Sequence, residues 1–119
     1  MRLGHLMLCD QREGQSPQKR YEEMMEEVRL MDELGYWSVW FAEHHFDGYS
    51  LITDSLLWCA AAARETKQIR LGAGVVVLPF HHPVRAAEQA AMVDCLSDGR
   101  LLLGVGRGYQ PHEFAGFGQ

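Results

Sequence analysis

The chain has 119 residues, of which 47% are hydrophobic and 23% charged, with 12 glycines and 4 prolines. This composition is that of a globular protein, and it excludes disordered, collagen-like and coiled-coil chains. The formal net charge of −5 does not suit binding to the phosphates of nucleic acid, and no apolar run approaches the roughly 20 residues that cross a bilayer. We therefore expect no nucleic-acid partner and no membrane partner.

The first predicted elements are a strand and an amphipathic helix. The strand covers Arg2 to Cys9, and because no signal-type apolar segment accompanies it, the expected location is cytoplasmic. Ser16 and Pro17 then start a helix, since a serine oxygen accepts a free N–H and proline presets φ. Gly35 is predicted to end it. The apolar stripe at three- and four-residue spacing consists of Tyr21, Met24, Met25, Val28, Met31 and Leu34.

The rest of the chain alternates strands and helices. Strands are predicted over 37–42, 69–77 and 100–105, and helices over 54–66, capped by Thr53 or Asp54, and from Pro83 to Asp98. The apolar positions of the latter helix are Val84, Ala87, Ala91 and Leu96. Strand starts near residues 2, 37, 69 and 100 are 35, 32 and 31 residues apart, the length of one strand–helix–strand crossover. This α/β alternation predicts a parallel sheet, either doubly wound or part of an eight-unit barrel. The final stretch, 109–119, is interpreted as a loop.

In both architectures ligands bind at the carboxyl ends of the strands. The chemically rich strand ends are Glu43-His44-His45-Phe46, the segment from Leu78 to Pro83, and the segment from Gly104 to Tyr109. A histidine at a strand end, such as His44, can donate or accept a proton near neutral pH, with a carboxylate fixing its tautomer. The alternative is a histidine that is hydrogen-bonded within its loop. Because side chains alternate along a strand, Glu43 and His45 share one side and His44 faces the other.

The spacing of the residues does not favour a metal site, a disulfide framework or a dinucleotide-binding site. The histidines and Glu43 are metal-ligand types, but no H-x-x-x-H or C-x-x-C spacing places two donors on one side, so we expect no metal. Three scattered cysteines indicate no disulfide framework. The glycines around Arg107 read G-x-G-x-G, which matches the dinucleotide fingerprint G-x-G-x-x-G poorly. They either let a flat ligand approach the backbone or only form a tight corner.

Several segments in this order resemble the luciferase-like flavin-dependent monooxygenases. They are WFAEHHF at 40–46, LGAGVVVLP at 71–79, HPVRAAE at 82–88, DCLSDGR at 94–100 and GVGRG at 104–108. The resemblance covers the whole chain and implies a TIM-type barrel. It also implies an enzyme that uses reduced FMN and O2 to oxygenate a small organic substrate, with an aldehyde as the luciferase example. A sister branch implies an F420-dependent dehydrogenase or reductase instead, and a catalytically silent partner subunit is the non-enzymatic alternative.

The resemblance also implies roles for individual residues. His44 matches the catalytic histidine beside the flavin, and Glu43 matches its acidic neighbour. Gly74 and Val75 match a non-prolyl cis peptide beneath the flavin ring, and Arg107 matches an arginine near the cofactor. The cofactor-binding residues implied in this way, including two positions that depart from the luciferases, are Glu43, Gly74, Val75, Gly106, Arg107 and Tyr109.

The two departures are a glycine and a tyrosine. Gly106 stands where some luciferases have a reactive cysteine, which separates this chain from the light-emitting subunits. Tyr109 comes one position before the tyrosine that the luciferases tend to carry.

Length leads to a further expectation. A barrel of this family needs about 250 residues, and its phosphate site usually follows strands seven and eight. We expect residues 1–119 to be the N-terminal half of a barrel domain, an incomplete barrel of four β/α units that binds flavin weakly or not at all by itself. The expected partners are a flavin reductase that supplies reduced FMN, and either a second copy of the chain in a homo-oligomer or the missing C-terminal half.

Overall fold

The computed structural model describes all 119 residues and contains four strands and four α-helices in strict alternation. The strands are β1 (Gly4–Met7), β2 (Ser38–Phe41), β3 (Arg70–Val77) and β4 (Leu101–Gly106). The helices are α1 (Pro17–Glu33), α2 (Ser55–Glu65), α3 (Pro83–Leu96) and α4 (Pro111–Gly116), and a short 3-10 turn covers Leu78–Phe80. None of the helices combines the length and the apolar character needed to cross a membrane.

Strand order and helix placement distinguish the two architectures that the alternation allowed. All neighbouring strands are parallel and follow the order β1-β2-β3-β4, without the reversal of a doubly wound sheet. Val39 and Phe41 of β2 belong to the same buried core as Leu71 of β3, and that core includes residues from α1, α2 and α3. The three helices therefore cover one face of the sheet, as in a β/α barrel. The chain is four β/α units of such a barrel.

The opposite face of the sheet is the one that points into a barrel. Trp40 lies on this face, where its ring occupies the space above Gly72 and its Nε1 donates to Ser38 Oγ at 3.0 Å. Leu6 of β1, which pairs with Trp40, is 57% exposed on the same face. No helix packs there, because the helices cover the other face.

The predicted helix starts are confirmed at atomic detail. Ser16 Oγ accepts the N–H of Lys19 at 3.2 Å, and Pro17 is the first residue of α1. Asp54, not Thr53, caps α2, since its Oδ1 accepts the N–H of Leu57 at 2.9 Å. Gly35 follows α1 with φ of +77°, which is the left-handed conformation expected of it.

Two predicted apolar stripes need correction. Met24, Val28 and Met31 of α1 are buried as predicted, but Leu34 lies beyond the last helical residue and is 66% exposed. The residues of α3 that face the core are Ala86, Ala90 and Val93, whereas the predicted positions Val84, Ala87, Ala91 and Leu96 are exposed. Since α3 is apolar on more than one face, periodicity alone could not select the buried one.

The interpretation of residues 109–119 as a loop was wrong. Pro111–Gly116 forms α4, a helix of 6 residues. This helix is too short for an apolar period to show. Its start signal was nevertheless present, because proline occupies the first helical position and Glu113 lies in the first turn.

Candidate functional site

The carboxyl ends of β2, β3 and β4 surround a cavity of about 320 Å³. All seven residues predicted for the site line it, and they are Glu43, His44, Gly74, Val75, Gly106, Arg107 and Tyr109. The sheet register explains this convergence, since Phe41 pairs with Ala73 and Val77 pairs with Gly106. Because β3 continues past Ala73 to Val77, the residues that follow β2 lie beside the end of β3, and Glu43 accepts the N–H of Val77. The residues that follow the three strands therefore meet at one edge of the sheet.

His44 is held from one side of its ring. Its Nδ1 lies 3.0 Å from Glu113 Oε1, and the residue is only 7% exposed. Because a carboxylate oxygen accepts, Nδ1 is the ring nitrogen that donates. The side chain of His44 makes its hydrogen bond within the protein through Nδ1, and Nε2 makes none. The rings of Tyr49 and Tyr109 meet the imidazole edge-to-face, with centroids at 4.8 and 6.0 Å.

Glu43, expected to be the acidic neighbour of His44, pairs with other groups. Its Oε1 lies 3.0 Å from His45 Nε2 and 3.0 Å from His81 Nε2, and its Oε2 accepts the N–H of Val77 at 3.1 Å. The alternation of side chains explains the difference, since residues 43 and 45 share one side and residue 44 points away. Glu43 therefore connects the ends of β2 and β3 and leaves His44 to another carboxylate.

The residue that sequence reasoning missed is Glu113 of α4. It is 1% exposed and lies among the lining residues of the cavity, 69 positions along the chain from His44. The signal that could have located its helix was the proline start described above. No local pattern could have paired it with His44, because that contact depends on how α4 lies against the end of β2.

Other histidines have peripheral positions. His82 is exposed and makes no side-chain cap at the start of α3. His112 Nε2 lies 3.2 Å from the carbonyl oxygen of His45 and 3.2 Å from Asp47 Oδ2. No group of three or more histidine, cysteine or acidic side chains is arranged to hold a metal ion.

The glycines of the G-x-G-x-G segment are explained mainly by the packing of β4 on β3. A Cβ at Gly104 would collide with the carbonyl oxygen of Ala73, and one at Gly106 would lie 2.7 Å from Val75 Cγ2. These glycines let β4 approach β3 closely, and Gly106 also lines the cavity. Arg107 is exposed and makes no ion pair or hydrogen bond within the protein.

The peptide bond between Gly74 and Val75 is cis, as the resemblance implied. Both residues line the cavity at the end of β3. Together with Gly106 and Gly108 they present backbone, not long side chains, to the cavity.

A larger cavity of about 460 Å³ lies elsewhere, between α1 and α2. Its lining is mainly apolar, and its ionisable side chains are Tyr21, whose hydroxyl donates to the carbonyl oxygen of Leu51, and Asp54, which caps α2. The indole Nε1 of Trp58, which also lines this cavity, is a buried donor without a protein partner. No histidine lines this cavity, so the cavity at the strand ends is the better candidate for chemistry.

Comparison with known families gives a match over the full chain. The family model described as luciferase-like monooxygenase matches residues 1–119. The oxygenase component of the flavin-dependent trigonelline monooxygenase of Acinetobacter baylyi is 37% identical over 115 residues, which is 96% of this chain and 32% of that protein.

Solved structures agree with the fold. The monooxygenase RslO1 from Streptomyces bottropensis superposes with a TM-score of 0.94 at 36% identity, over 99% of this chain and 36% of that one. The oxygenating constituent of 3,6-diketocamphane monooxygenase from Pseudomonas putida, solved in complex with FMN, superposes with a TM-score of 0.93 at 27% identity, over 99% of this chain and 32% of that one. The chain spans about a third of the length of each of these proteins.

Proposed function

The chain belongs to the luciferase-like monooxygenase family, and on that premise we propose that it supplies the flavin-ring site and the acid–base histidine of a flavin-dependent monooxygenase. The supporting observation is that His44, the Gly74–Val75 peptide and Arg107 line one cavity. In the proposed reaction, reduced FMN and O2 oxygenate a small organic substrate, and the second oxygen atom leaves as water. An aldehyde oxidised to a carboxylic acid is the substrate class that the family resemblance suggests.

The residues around the cavity fit a flavin ring. Gly74, Gly106 and Gly108 expose backbone that a planar ring can approach closely. The unpaired guanidinium of Arg107 offers positive charge or a stacking surface. A volume of about 320 Å³ is within the range of small-molecule sites. When bound, reduced flavin would supply the electrons that activate O2.

His44 is the proposed acid–base group. Its Nε2 is the ring nitrogen without a protein partner, and the residue lines the cavity while remaining almost fully buried. An imidazole in this position can accept a proton at Nε2 from the substrate, and the ring protonated in this way can deliver that proton to a developing oxygen anion. Such proton transfer typically contributes a factor of about 10² to 10⁴ in rate. Both carboxylate oxygens of Glu43 are hydrogen-bonded, so this residue would act by holding together the strand ends that surround the site.

The proposed function also includes a flavin reductase as partner and the cytoplasm as compartment. The Acinetobacter relative is named an oxygenase component, which supports a separate flavin reductase as the source of reduced FMN. The three cysteines are free thiols, which is consistent with a reducing cytoplasm. Assembly as a homo-oligomer, or with the remainder of a barrel, belongs to the proposal as well.

The binding part of the proposal is tested by NMR titration of FMN into the ¹⁵N-labelled chain. We expect weak binding, with shifts confined to the amides of Gly74, Val75, Gly106, Gly108 and Tyr109. Shifts at the cavity between α1 and α2 in place of these amides would contradict the proposed site, whereas no shift at millimolar FMN would agree with the expectation that these 119 residues do not bind flavin alone. Submicromolar affinity would contradict the expectation that these 119 residues bind flavin poorly alone.

The reaction is tested by O2 uptake with reduced FMN in the active enzyme that contains this chain. Changing His44→Ala should lower turnover by about 10² to 10⁴, whereas the exposed His82→Ala should not. Without O2 uptake, a loss of F420 absorbance on substrate addition would favour an F420-dependent dehydrogenase, and a gain of that absorbance from reduced F420 would favour a reductase. Unchanged turnover in His44→Ala would favour a catalytically silent subunit.

A further inference from the structure

We propose that Glu113 is the positioning residue of His44, and that it holds the imidazole in the tautomer whose proton is on Nδ1. The unprotonated Nε2 is then the nitrogen presented to the cavity. The hydrogen-bond part of this inference concerns the protein alone. Its meaning for catalysis rests on the proposed function.

The contact is built from two donors on one carboxylate oxygen. Glu113 Oε1 lies 3.0 Å from His44 Nδ1 and accepts the backbone N–H of His45 at 2.9 Å. The side chain of Glu113 is buried, so it depends on these donors in place of water. An ionised carboxylate offers only lone pairs, and this requires the proton on Nδ1. Without this partner, a neutral imidazole is free to exchange between its two tautomers.

Glu113 is itself fixed by the helix that carries it. His112, its neighbour in α4, donates from Nε2 toward the carbonyl oxygen of His45 at 3.2 Å. Two consecutive residues of α4 therefore bind the N–H and the C=O of the same residue at the end of β2. This double attachment sets the carboxylate of Glu113 at a defined place relative to the His44 ring, since His44 and His45 are adjacent.

A purely structural role would make a different prediction. If Glu113 only satisfied the N–H of His45, its removal would lower stability and leave the His44 tautomer unchanged. Glu113→Ala distinguishes the two roles, because it removes the acceptor altogether. Glu113→Gln is the conservative control, because its amide oxygen can still accept from both donors without charge.

The decisive measurement is the pair of imidazole ¹⁵N shifts of His44 in the chain, at a pH where the ring is neutral. We expect a protonated Nδ1 in the wild type and in Glu113→Gln, and a mixture of tautomers in Glu113→Ala. The backbone spectrum of each variant shows whether it is folded, and the wild-type shifts still test for a proton on Nδ1 if the alanine variant unfolds. A wild-type His44 without a proton on Nδ1, or an unchanged tautomer in folded Glu113→Ala, would overturn the inference.

Kinetics of the active enzyme provide the second readout. Glu113→Ala should lower kcat about 100-fold with a smaller change in KM, and Glu113→Gln should recover most of the loss. Glu26→Gln, at an exposed glutamate of α1 that makes no ion pair, is the matched control and should retain full turnover. A changed tautomer with unchanged kcat would overturn the catalytic meaning of the contact. Absence of flavin turnover in the wild-type enzyme would instead contradict the proposed function, while the ¹⁵N shifts would still decide the hydrogen bond.

Discussion

The side chain of Val75 occupies the space that a side chain at Gly106 would need. A Cβ at position 106 would lie 2.7 Å from Val75 Cγ2, and the two residues lie together in the lining of the cavity. A side chain at position 106, such as the luciferase cysteine, therefore fits only if the side chain of residue 75 is smaller or moves away. The pair thus determines the shape of this part of the site.

We expect Gly106→Ala to destabilise the chain by about 1–3 kcal/mol, as overpacking does. The double variant with Val75→Ala should recover most of that loss, because it removes the Cγ2 atom that lies in the way. Urea unfolding of both single variants and the double variant measures the coupling. Strictly additive effects would show that the two side chains do not compete for this space.

The carboxylate of Asp32 secures the loop before β3. It accepts the N–H groups of Lys67, Gln68 and Ile69 at 2.8, 2.9 and 2.7 Å. Burial raises the pKa of Asp32, but these three donors and the charge of Arg100 outweigh it, so the net pKa lies below the ordinary value of 3.8.

We expect Asp32→Asn to lower the free energy of unfolding by about 1–3 kcal/mol at neutral pH. Because the folded-state pKa is depressed, the stabilisation is present above about pH 4 and is lost as the pH falls through the folded value. Unfolding curves at several pH values should therefore converge for the wild type and the variant in acid. Exposed Asp94→Asn is the control, and an equal effect there would contradict this role.

The guanidinium of Arg100 closes the carboxyl end of α2. Its nitrogens donate to the carbonyl oxygens of Ala63, Thr66, Ile69 and Ser97, and to the Thr66 hydroxyl, at 2.8 to 3.3 Å. Helix-end carbonyls lack partners within the helix, and so the arginine satisfies groups that would otherwise be buried unpaired.

Arg100→Ala should cost about 2–4 kcal/mol of stability. Arg100→Lys should recover only part of this stability, since a lysine ammonium lacks the planar set of N–H donors with which a guanidinium reaches several oxygens at once. Thermal unfolding measures both variants. The control is Arg85→Ala, which removes an exposed ion pair with Glu88 and should cost about 0.5 kcal/mol or less. A full rescue by lysine would show that charge alone matters here.

The cysteines should differ sharply in reactivity. Burial, with a contribution from the charge of Asp54, raises the pKa of Cys59 to about 12. Burial is also the main cause that raises the pKa of Cys9, whereas Cys95 is exposed. Iodoacetamide near pH 8 should therefore label one cysteine in the native chain and three in denaturant, as counted by intact mass. More than one rapid label under native conditions would contradict the burial of Cys9 and Cys59.

Local patterns in the sequence were sufficient for the elements that depend on nearby residues. Ser16, Pro17 and Gly35 marked the limits of α1 correctly because caps and turns form between residues a few positions apart. The alternation of strands and helices predicted the parallel sheet. The location of the cavity followed from it, because carboxyl ends of parallel strands share one edge.

Only the tertiary structure decided which partners meet within that frame. It assigned Glu113 and not Glu43 to His44, and it selected Ala86, Ala90 and Val93 as the buried face of α3. Contacts of this kind join residues far apart in the chain, and they depend on how whole elements pack. A local period or a cap does not encode that packing. The position of α4 against the end of β2 therefore determines which carboxylate holds the candidate catalytic histidine.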